Sequence, residues 1–156
     1  MAALDFFDPN TWEFEDYEYR VYADNNANDY AVVDQIDYQF LIQWCWKLKQ
    51  SRVHKGTKKP KIYLARSDSE FLGADEYIDG KRIRNRITRT VYLHTVVMER
   101  TGIPKPKTNK QIIVDHADGD GFNCRRSNLR WATISFNNKN RFGVLEKEFF
   151  DVSGIL

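Results

Sequence analysis

Cysteine is scarce. The chain of 156 residues holds two, Cys45 and Cys124, far apart and without C-x-x-C spacing. That excludes a disulfide framework and argues against a structural zinc site, so two reduced thiols in a cytosolic protein are expected. Long apolar runs are missing too, and with them any expectation of a membrane span. The opening MAALDFFDPN is short and acidic and lacks a secretory core. Internal repeats and low-complexity segments are absent. The length suits one domain, or a catalytic module with a small accessory module.

Charge is unevenly spread. Residues 1–40 contain ten acidic residues and one basic, Arg20; the remainder holds twenty-three basic and twelve acidic, for a net charge of +2. A basic body behind an acidic front suits a polyanionic partner, although solvated faces give the same pattern. The stretch KQSRVHKGTKKPK carries Lys49, Arg52, Lys55, Lys58, Lys59 and Lys61 and no acid. In RIRNRITR, Arg82, Arg84 and Arg86 alternate with Ile83, Asn85 and Ile87, so an extended chain sends the arginines to one face. With Arg89 they suit phosphate or groove contacts. The alternative is a basic edge strand that resists aggregation.

The patterning predicts an α+β fold. Residues 1–11 have no periodicity. WEFEDYEYRVY (12–22) alternates aromatic and acidic residues as a half-buried strand would. A turn cluster over 24–29 and a short strand over 30–33 follow. Ile36, Phe40, Leu41 and Trp44 have helical spacing over 34–44, with Asp34 or Asp37 as cap. Strands are expected over 45–48 and 61–66, and a loop over 73–80. Leu93, Val96, Val97 and Arg100 mark a helix over 92–101, ended by Gly102, Pro104 and Pro106. The last unit reads as strand 111–116, loop 117–127, strand 128–132 and helix 134–141, with Thr133 as N-cap. Trp44, Trp46 and Trp131 are expected in the core, and His94 as a packed histidine on an apolar helix face.

That last unit, IIVDHADGDGFNCRRSNLRWATISFNNKNR, carries the chemistry. Asp115 and His116 end an apolar strand, and Asn128 and Asn137 follow at short range. Asp and Asn offer hard oxygen donors, which suit Mg²⁺ or Mn²⁺ with water and phosphate completing the shell. A histidine near its ordinary pKa of about 6.5 can take a proton from water. A helix packed across the two strands is expected to bring Asn137 toward Asp115; Asn140, one turn on, is the competitor. Asn128 is expected to fasten the loop, and Asp118 and Asp120 to be turn residues. Arg125, Arg126, Arg130, Lys139 and Arg141 flank the unit, and the forked Arg130 and Arg141 are the candidates for clamping a phosphate.

On those residues the segment resembles the HNH (His-Me finger, ββα-metal) endonucleases, most of all phage-type and intron-encoded homing members. The family's base histidine, structural asparagine and helical metal ligand fall on His116, Asn128 and Asn137, with Asp115 as the other ligand. YLHTVVMERTGIP resembles the helix before the finger, and DYAVVDQIDYQFLIQWCWKLK with IYLAR resembles the N-terminal region of phage members. The resemblance implies hydrolysis of double-stranded DNA, as a nick or a double-strand break, with one Mg²⁺ or Mn²⁺ per finger, in the cytoplasm of the host cell. It implies a C-terminal ββα-metal finger behind a small β-rich region with one helix. The expected divisions are an acidic arm or edge strand (1–29), a β-rich DNA-binding region (30–91), the finger with its preceding helix (92–141) and a tail (142–156). The acidic front is a candidate contact for a protein partner or a second copy. The competing expectation is a silent HNH-fold module that binds DNA or protein without cutting.

Overall fold

A computed structural model describes residues 17–51 and 60–140. The expectations for residues 1–16, for Arg52, Lys55, Lys58 and Lys59, and for Arg141 and the tail fall outside the described residues.

The chain opens with an antiparallel hairpin, β1 (Tyr19–Ala23) and β2 (Asn26–Val33). The turn is tighter than the 24–29 cluster suggests, because Ala23 already pairs with Asn26. Asn26 instead uses its side chain locally, donating to Asp29 Oδ2 and accepting from Asn28 N. This hairpin runs through the expected division at residues 29 and 30. Helix α1 (Gln35–Leu41) follows, then β3 (Lys47–Gln50) and the ten-residue β4 (Ile62–Phe71). A small hairpin of β5 (Glu76–Ile78) and β6 (Lys81–Ile83) leads to β7 (Arg86–Tyr92). Its two-residue turn, Asp79-Gly80, is left-handed at both positions (φ 50° and 74°), the geometry that matches strand twist. β3, β4 and β7 form an antiparallel sheet in that order. Helix α2 (Leu93–Arg100) ends at Gly102, whose φ of 75° suits glycine. The chain closes with antiparallel β8 (Ile112–His116) and β9 (Leu129–Thr133) and helix α3 (Ile134–Lys139). Thr133 accepts from Phe136 N, so it caps α3 as expected. The architecture is α+β with a β-rich N-terminal part.

One core joins these pieces. Val21, Ala31 and Val33 of the first hairpin, Leu41, Trp46, Leu64, Leu93, Val97, Met98, Ile112, Val114 and Trp131 are buried in a single cluster. Trp46 and Trp131 reach it as expected, and each indole N–H finds a carbonyl, Leu41 O at 2.8 Å and Ile103 O at 3.0 Å. Trp44 packs at the margin, edge-on to Phe40 and Trp46. Cys124 is buried, Cys45 is exposed, and both are free thiols. Among the described residues no helix is long and apolar enough to cross a membrane.

Two expectations need correction. Helix α1 does not bury Ile36, which is exposed; it buries Asp37 with Leu41. Asp37 is drawn inward because Arg100 Nε donates to Oδ1 at 2.8 Å and Arg126 donates to both oxygens, at 2.7 and 2.8 Å. The run RIRNRITR is not one strand either. It breaks at Arg84 and Asn85 between β6 and β7, where Asn85 bonds back through Asp75 and Leu72. Arg82 pairs with Asp75, while Arg86 and Arg89 lie three apart on β7 and face opposite ways.

Burial opposes the charge on Asp37, but the two arginines outweigh it and hold its pKa below the usual carboxylate value. A carboxyl with a lowered folded pKa stabilises the fold above its unfolded pKa of about 3.9, and that stability is lost as pH falls through the folded value. Asp37→Ala, which strands two arginines, is expected to cost about 3–5 kcal/mol. Thermal melts from pH 7 to pH 3 check this: the gap between wild type and variant should narrow as the acid limit is approached.

Candidate active site

β8 and β9 pair in register, with Asp115 opposite Arg130 and His116 opposite Leu129. β8 ends at His116, and the following loop turns back through Gly119 (φ 76°). Asn128 pins that loop. Its Oδ1 accepts from Asp118 N at 3.1 Å; its Nδ2 donates to Asp118 Oδ1 at 2.9 Å and Asn123 O at 2.8 Å. Asp118 and Asp120 accept from backbone N–H groups two residues on, as turn residues do. The loop also binds the first hairpin: Val32 N donates to Phe122 O at 2.8 Å and Cys124 N to Val32 O at 2.9 Å. Gly121 lets it press on β4, since a Cβ there would meet Ile62 O at 2.5 Å and the Tyr63 ring near 3 Å.

The His116 ring is 6% exposed. It stacks on Tyr63 (centroids 5.8 Å) and meets His94 edge-on (4.9 Å), and Tyr92 stacks on His94 (5.3 Å). Cys124 Sγ lies 3.8 Å from His116 Nε2 and 3.6 Å from Gly121 O. Burial lowers the His116 pKa to about 4; nearby Lys61 also lowers it, while Asp118 works the other way. Burial, reinforced by His116, takes His94 to about 3. Both rings are therefore neutral at neutral pH.

Asp115 is 2% exposed and turns toward β9 and α3. Its Oδ2 accepts from Arg130 Nε at 2.8 Å and from Asn140 Nδ2 at 3.0 Å. Burial raises its pKa, and Arg130, Asn140 and Lys61 oppose that rise. Asn140 is wholly buried, and its Nδ2 also lies within reach of His116 O and Ala117 O. The structure thus brings Asn140 to Asp115, and sets Asn137 elsewhere. Asn137 lines a cavity of about 320 Å³ with His94, Tyr63, Glu99 and Trp131. Six residues of α3 leave β9 at Thr133, and a side chain reaches back over the end of β8 only one turn after Asn137.

The flanking cations divide. Arg126 is committed to Asp37, Arg130 to Asp115, and Arg125 lies 3.7 Å from Glu18. Lys139 is exposed at the end of α3. Arg84 and Arg86 are exposed with no ion pair among the described residues, and Arg89 stands opposite Asp68. Sequence reasoning gave no site role to Lys61, whose Nζ donates to Gly119 O, nor to Tyr63 or Cys124. Only the spacing of Asn140 from Asn137 was a signal.

Among the described residues no three His, Cys, Asp or Glu side chains cluster to hold a metal. Asp115 offers a carboxylate, but it is buried and accepts from Arg130 and from the amide nitrogen of Asn140, so a hard cation here would take most of its shell from water and phosphate. Residues 91–139 match a family model described as HNH endonuclease. No curated protein and no solved structure matches the chain. This segment is similar to the HNH endonucleases, which suggests nuclease activity and a nucleic acid as substrate.

Removing the Asn140 amide would leave three buried oxygens short of a donor. Asn140→Ala is expected to cost about 1–3 kcal/mol, as is Asn128→Ala, which frees the loop. Chemical denaturation of the two variants checks this, and a stability equal to wild type in either would show that amide to be dispensable.

Proposed function

We propose that the protein is a DNA endonuclease that hydrolyses phosphodiester bonds with Mg²⁺ or Mn²⁺, as a nick or a double-strand break, with the site preference of phage-type or homing enzymes. The observation that carries this reading is the Asp115-His116 pair at the end of β8, beside a loop fastened by Asn128, inside the segment that matches the HNH endonuclease family. His116 is the general base: its ring is neutral near pH 7 and so has a lone pair for a proton of the attacking water. Asp115 is the residue that would hold the cation, and Asn140 rather than Asn137 is the helical amide beside it. Such an ion polarises the scissile phosphate and stabilises the leaving oxygen. Asn128 keeps the loop that follows His116 in place. Arg130 fixes the orientation of Asp115 and keeps a guanidinium at the site.

The near-complete burial of His116 and Asp115 favours a second reading, a module that binds DNA or protein and does not cut. A plasmid-nicking assay with Mg²⁺ and Mn²⁺ separates the two, since the second reading yields no product with either ion. For the endonuclease, His116→Ala is expected to slow cutting by about 10²- to 10⁴-fold while leaving DNA binding in gel shifts intact. Full activity in that variant removes the base assignment, and cutting that persists in EDTA removes the metal.

A further inference from the structure

The sheet β3–β4–β7 has two unlike faces. Strand alternation and the observed register put Lys47, Lys49, Tyr63, Ala65, Ser67, Ser69, Phe71, Arg86, Thr88, Thr90 and Tyr92 on one of them. Side-chain geometry agrees: Lys49 Nζ donates to Thr90 Oγ1 at 2.7 Å, the Ser69 and Thr88 hydroxyls lie 3.1 Å apart, and Tyr63 meets Tyr92 at 6.1 Å. This face holds cations and hydroxyls and no acid. The acids of β4, Asp68 and Glu70, lie on the opposite face with Arg66 and Arg89, where Arg66 pairs with Asp68 at 3.7 Å. The acid-free face also begins at the candidate active site, because Tyr63 is the ring that stacks on His116. From there β4 and β7 leave the body as an exposed ribbon, and a groove of about 420 Å³ runs beside it, bordered by Lys47, Lys49, Ser67 and Thr90.

We propose that this face is the track for the sugar–phosphate backbone of the DNA on one side of the cut, with Lys47, Lys49 and Arg86 as charge contacts and Ser67, Ser69, Thr88 and Thr90 as hydroxyl donors to phosphate. Lysine, arginine and small hydroxyl side chains are what backbone-positioning contacts use. Eight strand steps from Tyr63 to Phe71, at roughly 3.4 Å each, run about as far as eight base pairs along a duplex axis. A duplex is the occupant because the face carries cations and no acid and runs up to Tyr63, the ring that stacks on His116. Charge counting along the sequence shows the ribbon balanced, and only the register shows it sorted.

The proposal rests on the nucleic-acid substrate assigned above, and the test separates the two. Binding of a duplex to the full chain is measured in EDTA, so that no strand is cut, across a salt series. Lys47→Ala/Lys49→Ala is expected to weaken binding and to flatten the slope of log K against log salt by about 2 units, near 0.9 for each phosphate that is no longer neutralised. Ser69→Lys should steepen the slope, while Glu70→Lys, one residue on but on the opposite face, should leave it unchanged. An unaltered slope in the double variant, or equal steepening by both lysine insertions, overturns the proposal; matching melts establish that the variants are folded. Loss of slope in a protein that nicks no plasmid would keep the track and remove the endonuclease. Nicking with an unaltered slope would do the reverse.

Discussion

The carboxylate of Asp37 is the point on which the arrangement turns. It is wholly buried, yet it accepts from Arg100 of α2 and from Arg126 at the start of the short turn before β9. Three segments distant in sequence are thereby fixed to one another. A buried charge is costly unless it is paired and hydrogen-bonded, and here both oxygens are occupied by guanidinium groups of fixed geometry. Asp34 adds a neighbouring constraint by accepting from Arg126 N at 2.7 Å. The loop between β8 and β9 is therefore anchored at its far end by the helix that precedes the sheet, and at its middle by β2. The N-terminal hairpin is part of the support of the finger.

That support explains how a loop of polar and glycine residues holds one shape beside His116. Asn128 satisfies the loop from within, β2 pairs with its backbone through Val32, and Gly121 allows β4 to approach until Tyr63 lies flat on the imidazole. The ring is oriented by aromatic contact and by the Cys124 thiol rather than by a carboxylate. The thiol itself is held protonated by burial, so it acts as a weak donor and acceptor and brings no charge.

Much of the C-terminal unit was legible because its signals are local. Thr133 caps α3, Gly102 closes α2, Asp115 and His116 end β8, and Asn128 fastens the loop that follows. What stayed hidden depends on partners far along the chain. Ile36 has helical spacing with Phe40, but the helix turns Asp37 inward because two arginines some 63 and 89 residues away meet it there. The arginine alternation in 82–89 looks continuous, and it breaks because Asn85 and Arg82 are both claimed by Asp75. Asp79-Gly80 was a readable hairpin signal absorbed into a supposed loop. The ring cluster of Tyr63, Tyr92, His94 and His116 comes from separate stretches and has no sequence spacing to reveal it. The register that brings Asn140 over the end of β8 depends on how far α3 travels after Thr133, which is a matter of packing.

The sorting of cations follows from the same electrostatics. A guanidinium beside a carboxylate contributes little field at a distance, so Arg82, Arg125, Arg126 and Arg130, each next to an acid, order the protein more than they attract a polyanion. Attraction has to come from charges whose neighbours are neutral. Among the described residues Lys47 and Lys49 form no ion pair on β3, where Lys49 donates to the Thr90 hydroxyl, while Arg86 at the entry to β7 feels the Asp75 carboxylate. Counterion release scales with phosphates neutralised and not with the total count of basic residues. A net charge of +2 is therefore no obstacle to tight binding of a duplex, provided the acids are held on other faces, and the register of β4 against β7 does that for Asp68 and Glu70.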